Sequence, residues 1–392
     1  MQPRDPLLPG FLSTPFPWRG GNQFNLHVNG ERFFPPMLAA IQGAKQSIAL
    51  EMYLCGSGRV FSEFRDALMV AAQRGVTTQV LLDDFGSLQL NKTDREQMLN
   101  AGVELKFYNP LRWQQGLRNF LRNHRKLLVV DGEIAFTGGA GLTDEFVVDG
   151  LATQAWHDVM LEIHGPVVND WQRLFDHTWL GLRKRVQLRR SLVLRPERAT
   201  KPISGDTPGT GRIIASYGPQ AHHVLQSLYA HIKLTKQRAW IVTPYFMPSW
   251  KLRQRLIKAA RHGVDTRVLV PGAMTDHPTL RQASRRHYAQ LLKQGVRIFE
   301  YQPTFIHTKL AICDDWISVG STNFDHWNLR WNLDANQEVQ DAAFVIQVLA
   351  MLDADFAASV ELLHINWQRR PWYLRLTEWL TGLLDRWSSN WR

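Results

Sequence analysis

An eight-residue pattern decides the fold of this chain: it reads HRKLLVVD at residues 124–131 and returns as HTKLAICD at residues 307–314. In each copy an apolar run follows the His and the Lys. This run predicts a short β-strand whose alternation places both basic side chains on one face. A single His-x-Lys pair is a common surface feature. Two copies at matching positions of a repeat indicate that both carry the same function.

Three further segments repeat in the same order and extend this pattern over most of the chain. The matches are residues 44–53 with 236–245, 74–83 with 262–270, and 101–108 with 294–301. Each match places the end of a helix before an apolar strand. Conserved order with only loop lengths changing indicates a duplicated domain.

Amphipathic helices are expected between these strands, at residues 33–44, 60–74, 221–236, 249–261 and 279–294. Thr93 and Glu96 form a capping-box pattern that predicts one more helix start. Strands that alternate with helices predict an α/β fold with helices covering a central sheet. We divide the chain into an N-terminal extension (1–21), a first domain (22–188), a linker (189–212), a second domain (213–365) and a tail (366–392).

Composition limits the partners of the protein. The chain has 392 residues, with 46 Lys and Arg against 35 Asp and Glu, a formal charge of +11. A hydrophobic content of 44% excludes a disordered chain, and the positive charge fits a nucleic acid, an anionic membrane or a phosphate-bearing substrate. Cys55 and Cys313 are too few for a disulfide framework and are expected to be small buried residues. No apolar run is long enough to predict a transmembrane helix, and the N-terminus lacks the core of a signal peptide.

Small residues follow each copy of the motif, and each half then offers one acid. The turns are TGGAG at 137–141 and VGSTN at 319–323. Small residues let backbone amides approach an anion, although Gly138 and Gly139 are equally typical of a tight turn. Ser321 and Asn323 add side-chain donors for the same anion. Asp158 and Glu338, each in an apolar stretch, are candidates for orienting an imidazole, with a solvated strand edge as the alternative.

These residues together resemble the phospholipase D superfamily, whose signature is a doubled HxKxxxxD followed by GSxN-like or GGxN-like turns. Within it the chain is most similar to bacterial cardiolipin synthases of the B type. The resemblance extends from about residue 22 to about residue 361 and includes WHD at 156–158, HGPVV at 164–168 and GSTNFD at 320–325. One departure is Gly141, which stands where the family pattern has Asn.

The resemblance implies a fold and a set of roles. The fold is two phospholipase D-like α/β/α sandwich domains in one chain, related by a pseudo-two-fold axis as a bilobal molecule. The implied site residues are His124, Lys126, Asp131, His307, Lys309 and Asp314 as the catalytic motif, and Gly139, Ser321, Asn323, Asp158 and Glu338 as phosphate-binding or orienting groups. We expect Asp131 and Asp314 to anchor the motif rather than touch substrate.

Paired His-Lys motifs suit exchange at a phosphodiester. Imidazole titrates near neutrality, so a neutral His can attack phosphorus while a protonated one donates to the leaving alkoxide. The two Lys supply positive charge for the phosphoryl oxygens, and we expect neither a metal nor a cofactor. The residues alone leave open which His attacks. The resemblance favours His124 as nucleophile and His307 as acid and base.

The acceptor decides the product. By resemblance we expect transfer of a phosphatidyl group between phosphatidylglycerol molecules, which yields cardiolipin and glycerol. Water as the acceptor would make the protein a hydrolase, and a DNA or RNA phosphodiesterase would suit the +11 charge equally. A catalytically inactive lipid-binding module is disfavoured because both motifs are intact. The expected partners are an anionic phospholipid and a membrane surface, not nucleic acid, and the oligomeric state stays open. We expect a peripheral protein of the bacterial inner membrane.

Two segments outside the motifs bear on membranes. Residues 109–122 form a basic, aromatic insertion that the second half lacks. It is interpreted as a lip that meets lipid head groups, as an ordinary loop packing its Leu and Phe inward, or as a nucleic-acid groove. Residues 367–392 place Trp and Leu at helical spacing beside several Arg, which is typical of an interfacial helix or of a core or dimer helix.

Overall fold

The computed structural model describes residues 16–148, 154–183, 208–217, 223–324 and 331–371. The strands are β1 (Gln23–Val28), β2 (Ser47–Met52), β3 (Thr77–Asp83), β4 (Glu104–Tyr108), β5 (Arg122–Asn123), β6 (Leu127–Val130), β7 (Ile134–Gly138), β8 (Val159–His164), β9 (Thr210–Tyr217), β10 (Arg238–Val242), β11 (Asp265–Pro271), β12 (Arg297–Tyr301), β13 (Leu310–Cys313), β14 (Trp316–Gly320), β15 (Asn332–Gln340) and β16 (Ser359–Leu362). The α-helices are α1 (Gly30–Gly43), α2 (Arg59–Gln73), α3 (Lys92–Asn100), α4 (Val167–Arg183), α5 (His223–Leu234), α6 (Trp250–Arg261), α7 (Pro278–Arg285), α8 (Tyr288–Lys293), α9 (Ala342–Ala357) and α10 (His364–Gln368). Short 3₁₀ helices cover Trp113–Phe120 and Asp144–Phe146.

The two sheets repeat one topology. The first runs β1-β8-β7-β6-β2-β3-β4, and the second repeats it as β9-β15-β14-β13-β10-β11-β12. In both, the strands equivalent to β2, β3 and β4 are parallel and the motif strand pairs antiparallel to β2 or β10. The second sheet adds β16 beside β12 and receives β5 from the first half. The predicted duplication and α/β fold are therefore confirmed.

Three apolar cores hold the layers together. One lies under α1 and α2 on the outer face of the first sheet, and another lies under α5 and α6 on the second. The third is shared between the halves and includes Trp171 of α4 and Phe344 of α9. Because burial of apolar area is the main driving force for folding, this shared core joins the two lobes. Cys55 and Cys313 are buried, as expected.

Some boundaries differ from the sequence-based expectations. The helix expected at 279–294 is two helices, α7 and α8, separated at residues 286–287, so that Tyr288 and Leu291 of α8 turn into the core. The cap of α3 is Asn91 rather than Thr93, since its side chain accepts the amide of Asp94 at 2.7 Å. Strand β9 begins at Thr210, inside the predicted linker (189–212). The rest of that linker up to residue 207, and residues 372–392 of the tail, lie outside the described residues.

Asp131 and Asp314, counted with the catalytic motif, are at the far end of the motif strands from the His. Both have positive φ, 53° and 51°. The Asp131 carboxylate accepts the backbone amides of residues 45–47 at the start of β2, and Asp314 accepts those of residues 236–238 at the start of β10. A catalytic position for them is therefore wrong, whereas the geometry is that of the anchor we expected.

We expect Asp131→Asn to lower the free energy of unfolding by about 1–2 kcal/mol, because a carboxylate that accepts three amides becomes a neutral amide. Transfer activity should stay within a few-fold of the parent protein. Partial burial opposes ionisation of Asp131, but the amides of Ser47, Lys45 and Gln46 outweigh it, and the pKa is lowered. This contribution is therefore present above about pH 4 and lost as pH falls further. Urea unfolding at pH 7 and at about pH 2.5, below the ordinary carboxyl pKa, measures it, and a variant whose deficit is the same at both would contradict the assignment.

Candidate active site

Each motif His is held by a backbone hydrogen bond to the opposite half. The amide of His124 donates to the carbonyl of Leu333 at 2.9 Å, just after β5 pairs with the start of β15. In the same way, the amide of His307 donates to the carbonyl of His157 at 2.7 Å. Just before its strand begins, each motif therefore contacts the backbone of the opposite lobe.

The crossing gives each His a carboxylate from the other half. His124 Nδ1 lies 2.9 Å from Asp334 Oδ1, and His307 Nδ1 lies 2.7 Å from Asp158 Oδ2. Both carboxylates are fully buried. A carboxylate only accepts, so Asp334 favours the form of His124 with its hydrogen on Nδ1 and a free lone pair on Nε2. His307 Nδ1 has the equivalent contact with Asp158 and also lies 2.9 Å from Lys309 Nζ.

The register of the strands shows that the two acids are equivalent. Gly138 of β7 faces Met160 of β8, and Gly320 of β14 faces Asn336 of β15. Counting back two residues from each partner gives Asp158 and Asp334. The same registration pairs Glu162 with Glu338.

Glu338 is therefore not the orienting acid that the sequence suggested. It lies four residues beyond Asp334, about 13 Å further along β15. Its carboxylate instead accepts from Arg212 Nε at 2.6 Å and from the Ser227 hydroxyl. These contacts tie β9 and α5 to the sheet, which is a structural role.

Two buried lysines lie between the crossed His-Asp pairs. Lys126 Nζ donates to the carbonyl of His124 at 2.7 Å, and Lys309 Nζ donates to the carbonyl of His307. Lys309 Nζ is also 4.0 Å from Asp158 Oδ2. Burial, and then the charge of Lys309 from the other motif, lower the pKa of Lys126. The effects of Lys309 on Lys126 and of Lys126 on His307 place both motifs in one electrostatic site.

The same environment acts on the two histidines. Burial, followed by the charge of the neighbouring Lys, lowers the pKa of both His124 and His307 to about 4. Burial opposes ionisation of Asp158, but Lys309 and His307 outweigh it, and its pKa is lowered. In the protein alone both imidazoles are therefore neutral at pH 7, unlike the expected pair of one neutral and one protonated ring. A bound phosphate anion supplies the negative charge that favours protonation.

We expect anion binding to draw a proton into this site. Because the anion raises the histidine pKa from about 4, sulfate binding at pH 6 should take up about 0.5–1 proton. Titration calorimetry in buffers of different ionisation enthalpy measures this number, and sulfate itself does not titrate at that pH. His307→Asn should reduce the uptake. Binding with no proton exchange at pH 6 would contradict the electrostatic picture.

Gly139 and Ser321, in the turns that follow the two motifs, have roles that differ from the expected binding of phosphate. The amide of Gly139 donates to the carbonyl of Val159 at 3.2 Å, so it is not available to a phosphate. A Cβ at Gly139 would lie 2.4 Å from both oxygens of Asp158, so the glycine makes room for that carboxylate. Ser321, its counterpart, donates its hydroxyl to Asp334 Oδ1 at 2.8 Å. Both residues therefore support the orienting acids, and their assignment as direct phosphate ligands is corrected.

Asn323 remains the phosphate-binding candidate of the second turn. It is buried, and its Oδ1 has no hydrogen-bond partner among the described residues. Gly141 is the corresponding residue of the first turn. A Cβ there would lie 2.6 Å from the carbonyl oxygen of Leu54 and 2.7 Å from its Cβ. Leu54 therefore fills the place where the first half would carry an Asn.

Sequence reasoning missed several residues of the site, above all Asp334. The aromatic walls were also missed: the Tyr53 ring lies 4.8 Å from the His124 ring, and Trp156 lies 5.3 Å from the His307 ring. The repeat contained a usable signal, since WHDVMLE at 156–162 matches NLDANQE at 332–338 with both acids aligned. In the described ranges, no group of three or more His, Cys, Asp or Glu is arranged to hold a metal ion.

Two α/β/α lobes that each supply a His-x-Lys motif to one shared site define a phospholipase D-type architecture. The family model described as "Cardiolipin synthase, PLD-like domain" matches residues 37–179 and 228–356. The chain belongs to this family, as the motif predicted.

Relatives and solved structures agree with the family. The chain is 34% identical to cardiolipin synthase B of Salmonella typhimurium over 333 residues, which is 83% of this chain and 78% of that protein. It is 30% identical to cardiolipin synthase 2 of Bacillus cereus over 363 residues, 91% of this chain and 69% of the relative. Phosphatidylserine synthase of Haemophilus influenzae shares the fold, with a TM-score of 0.69 at 14% identity over 95% of both chains. These relatives support the prediction of a phospholipid-modifying enzyme.

Proposed function

We propose that the protein is a cardiolipin synthase that transfers a phosphatidyl group between two phosphatidylglycerol molecules and releases glycerol. The observation that carries the chemistry is the pair of crossed His-Asp contacts, His124 with Asp334 and His307 with Asp158. The names of the relatives support the choice of substrate.

The first half-reaction forms a phospho-histidine. Nε2 of His124 attacks phosphorus, and the bond from phosphorus to the head-group glycerol oxygen breaks. His307, protonated when the anion binds, donates its Nε2 proton to the departing glycerol. Lys126, Lys309 and Asn323 supply charge and donors around the phosphoryl oxygens.

The second half-reaction reverses these roles. The head-group hydroxyl of a second phosphatidylglycerol attacks the phosphorus, and His307 accepts its proton. The phosphorus–nitrogen bond to His124 breaks. Two phosphatidylglycerols thus give one cardiolipin and one glycerol, and His124 is neutral again.

The acceptor is tested by offering purified protein phosphatidylglycerol vesicles and, separately, plasmid DNA, each with EDTA. We expect cardiolipin and glycerol in equal amounts by mass spectrometry, intact DNA, and no loss of rate on chelation. Phosphatidic acid as the main product would make the protein a hydrolase, and nicked DNA would make it a nuclease. If EDTA abolished the activity and a divalent cation restored it, the prediction of metal-independent chemistry would be contradicted.

We place this activity at the surface of the bacterial inner membrane, with the protein bound peripherally. Over the part of the chain that the structure describes, no helix has the length and hydropathy needed to cross a bilayer. The tail at 366–392 remains a proposed membrane contact, which rests on the pattern of Trp and Arg in its sequence alone.

A further inference from the structure

The insertion between β4 and β5 is a closed loop held by amide side chains. Asn109 Nδ2 donates to the carbonyls of Arg118 and Leu121, both at 2.8 Å. Asn119 Nδ2 donates to the carbonyl of Arg112 at 2.8 Å, and its Oδ1 accepts the Arg112 amide at 3.1 Å. Polar side chains therefore fix the backbone of the loop from the inside.

Most of the large apolar side chains of this loop are exposed to solvent, whereas Leu121 is buried. Trp113 is 102% exposed and Leu117 60%, and Leu111 and Phe120 are about half exposed. A loop that packs its Leu and Phe inward would bury these side chains, so that interpretation holds for Leu121 but not for Leu111, Leu117 and Phe120. A set of apolar side chains that is fixed in place and exposed to solvent indicates a surface that binds a lipid phase or a partner molecule.

The exposed group continues onto the neighbouring turn and lies beside the active site. The amide of Leu111 donates to Asp84 Oδ2 at 3.1 Å, which joins the loop to the turn after β3. That turn exposes two more large apolar side chains. We call the whole set the apolar rim: Phe85, Leu88, Leu111, Trp113, Leu117 and Phe120. The loop leads through β5 directly into His124, so the rim lies beside the first motif.

Charge and side-chain type select the partner. Residues 109–122 contain two exposed arginines, Arg112 and Arg118, and no acid, which favours an anionic surface. Arg122 is buried against Asp83 and does not contribute to this surface. Leu111 and Leu117 are aliphatic and offer no flat face on which a base could stack, whereas nucleic-acid grooves rely on such stacking. Leu and Trp beside Arg are typical of side chains that enter the boundary between head groups and acyl chains.

We propose that the apolar rim inserts into an anionic lipid bilayer and so presents the active site to phospholipid head groups. The site then takes its substrate at the interface, without withdrawing a whole lipid into water. The identity of that lipid rests on the proposed function, but insertion into the bilayer does not.

Vesicle flotation of the full chain tests the insertion. We expect Trp113→Ser with Leu117→Ser to weaken binding to vesicles of phosphatidylglycerol and phosphatidylcholine by about tenfold, since two large apolar side chains no longer leave water. The matched control is Ile346→Ser, because Ile346 is 69% exposed on α9, just beyond the end of β15 far from Asp334. Equal flotation of the double variant, the control and the parent protein would overturn the proposal.

Two further experiments distinguish insertion of the rim into the bilayer from the proposed catalytic function. On short-chain phosphatidylglycerol dispersed as monomers, the double variant should match the parent rate, and on vesicles it should be about tenfold slower. If neither protein converts either lipid, the proposed function fails while flotation still reports insertion. A gel shift in which the double variant loses plasmid DNA binding, with flotation unchanged, would assign the rim to nucleic acid and overturn the proposal.

Discussion

Replacing His124 or His307 by Asn is expected to lower the rate of phosphatidyl transfer by at least about 10⁴-fold, because each imidazole makes or breaks a bond that no other group replaces. Both rings are buried and held by a carboxylate from the opposite lobe. Transfer is measured as cardiolipin formed from phosphatidylglycerol vesicles. Normal turnover by either folded variant would end the doubled-site interpretation.

An activated substrate separates the roles of the two histidines. A phosphatidyl ester with an aryl leaving group departs without a proton, so the first half-reaction no longer needs the acid. His307→Asn should then release the aryl alcohol in a stoichiometric burst and accumulate a phospho-protein, whereas His124→Asn should do neither. Mass spectrometry should locate the adduct on His124. An adduct on His307 in the His124 variant would exchange the assignments.

The control for this series is a histidine outside the site. His262 is exposed at the end of α6, and its Nδ1 contacts the carbonyl of Lys258 at 2.7 Å. His262→Asn should therefore keep full transfer activity. Thermal unfolding of all three variants shows whether a rate loss comes from chemistry or from unfolding.

The sequence predicted the lobes well because local patterns encode them. The alternation around Lys126 and Lys309 predicts the motif strands, and the repeated order of segments predicts two sheets of the same topology. The anchor role of Asp131 and Asp314 was also predictable, since each follows an apolar strand at a tight turn. These features depend on contacts within one half.

The contacts between the halves were not predictable in this way. Asp334 orients His124 only because β5 docks beside β15, a pairing between residues more than 200 positions apart. Without that register, Glu338 was as plausible an acid as Asp334. Gly139 likewise suggested an anion-binding turn, whereas its missing Cβ makes room for the carboxylate of Asp158, the residue just before β8. Exposure of Trp113 depends on which side chains close the loop, and composition does not specify this.

The site is less symmetric than the fold that carries it. On the side of His124, Asp334 is shared with Ser321, and Asn323 follows in the same turn. On the side of His307, Gly139 and Gly141 stand at the positions that correspond to Ser321 and Asn323. Leu54 occupies the space that a side chain at residue 141 would need. The second half therefore offers one proposed phosphoryl ligand, Asn323, that the first half lacks. This arrangement suits two histidines with different tasks, one forming the covalent intermediate and one moving protons.

Asp334→Asn is expected to lower the transfer rate by about 10²–10⁴-fold while the protein stays folded. Ser321 and His124 both contact Asp334 Oδ1. An NH₂ group in that place gives one hydrogen to the Ser321 oxygen, whose hydroxyl then turns to the carbonyl of Ala335, and donates the other hydrogen to His124 Nδ1. That hydrogen bond places the ring hydrogen on Nε2, the atom that must attack phosphorus, so the nucleophile is in the wrong tautomer. The burst with the aryl ester should slow by the same factor, and sulfate affinity should change little.

Glu338→Gln is the matched variant, because Glu338 lies on the same strand, is equally buried and also loses one charge. It replaces the ion pair with Arg212 by a neutral contact and should lower the melting temperature. At a temperature where the variant is folded, its rate should stay within about threefold of the parent rate, because the surroundings of His124 are unchanged. Nitrogen NMR of labelled histidine reports the tautomer directly and should change only for Asp334→Asn. Equal rate losses in the two folded variants would show that burial of charge on β15, rather than orientation of His124, sustains the reaction.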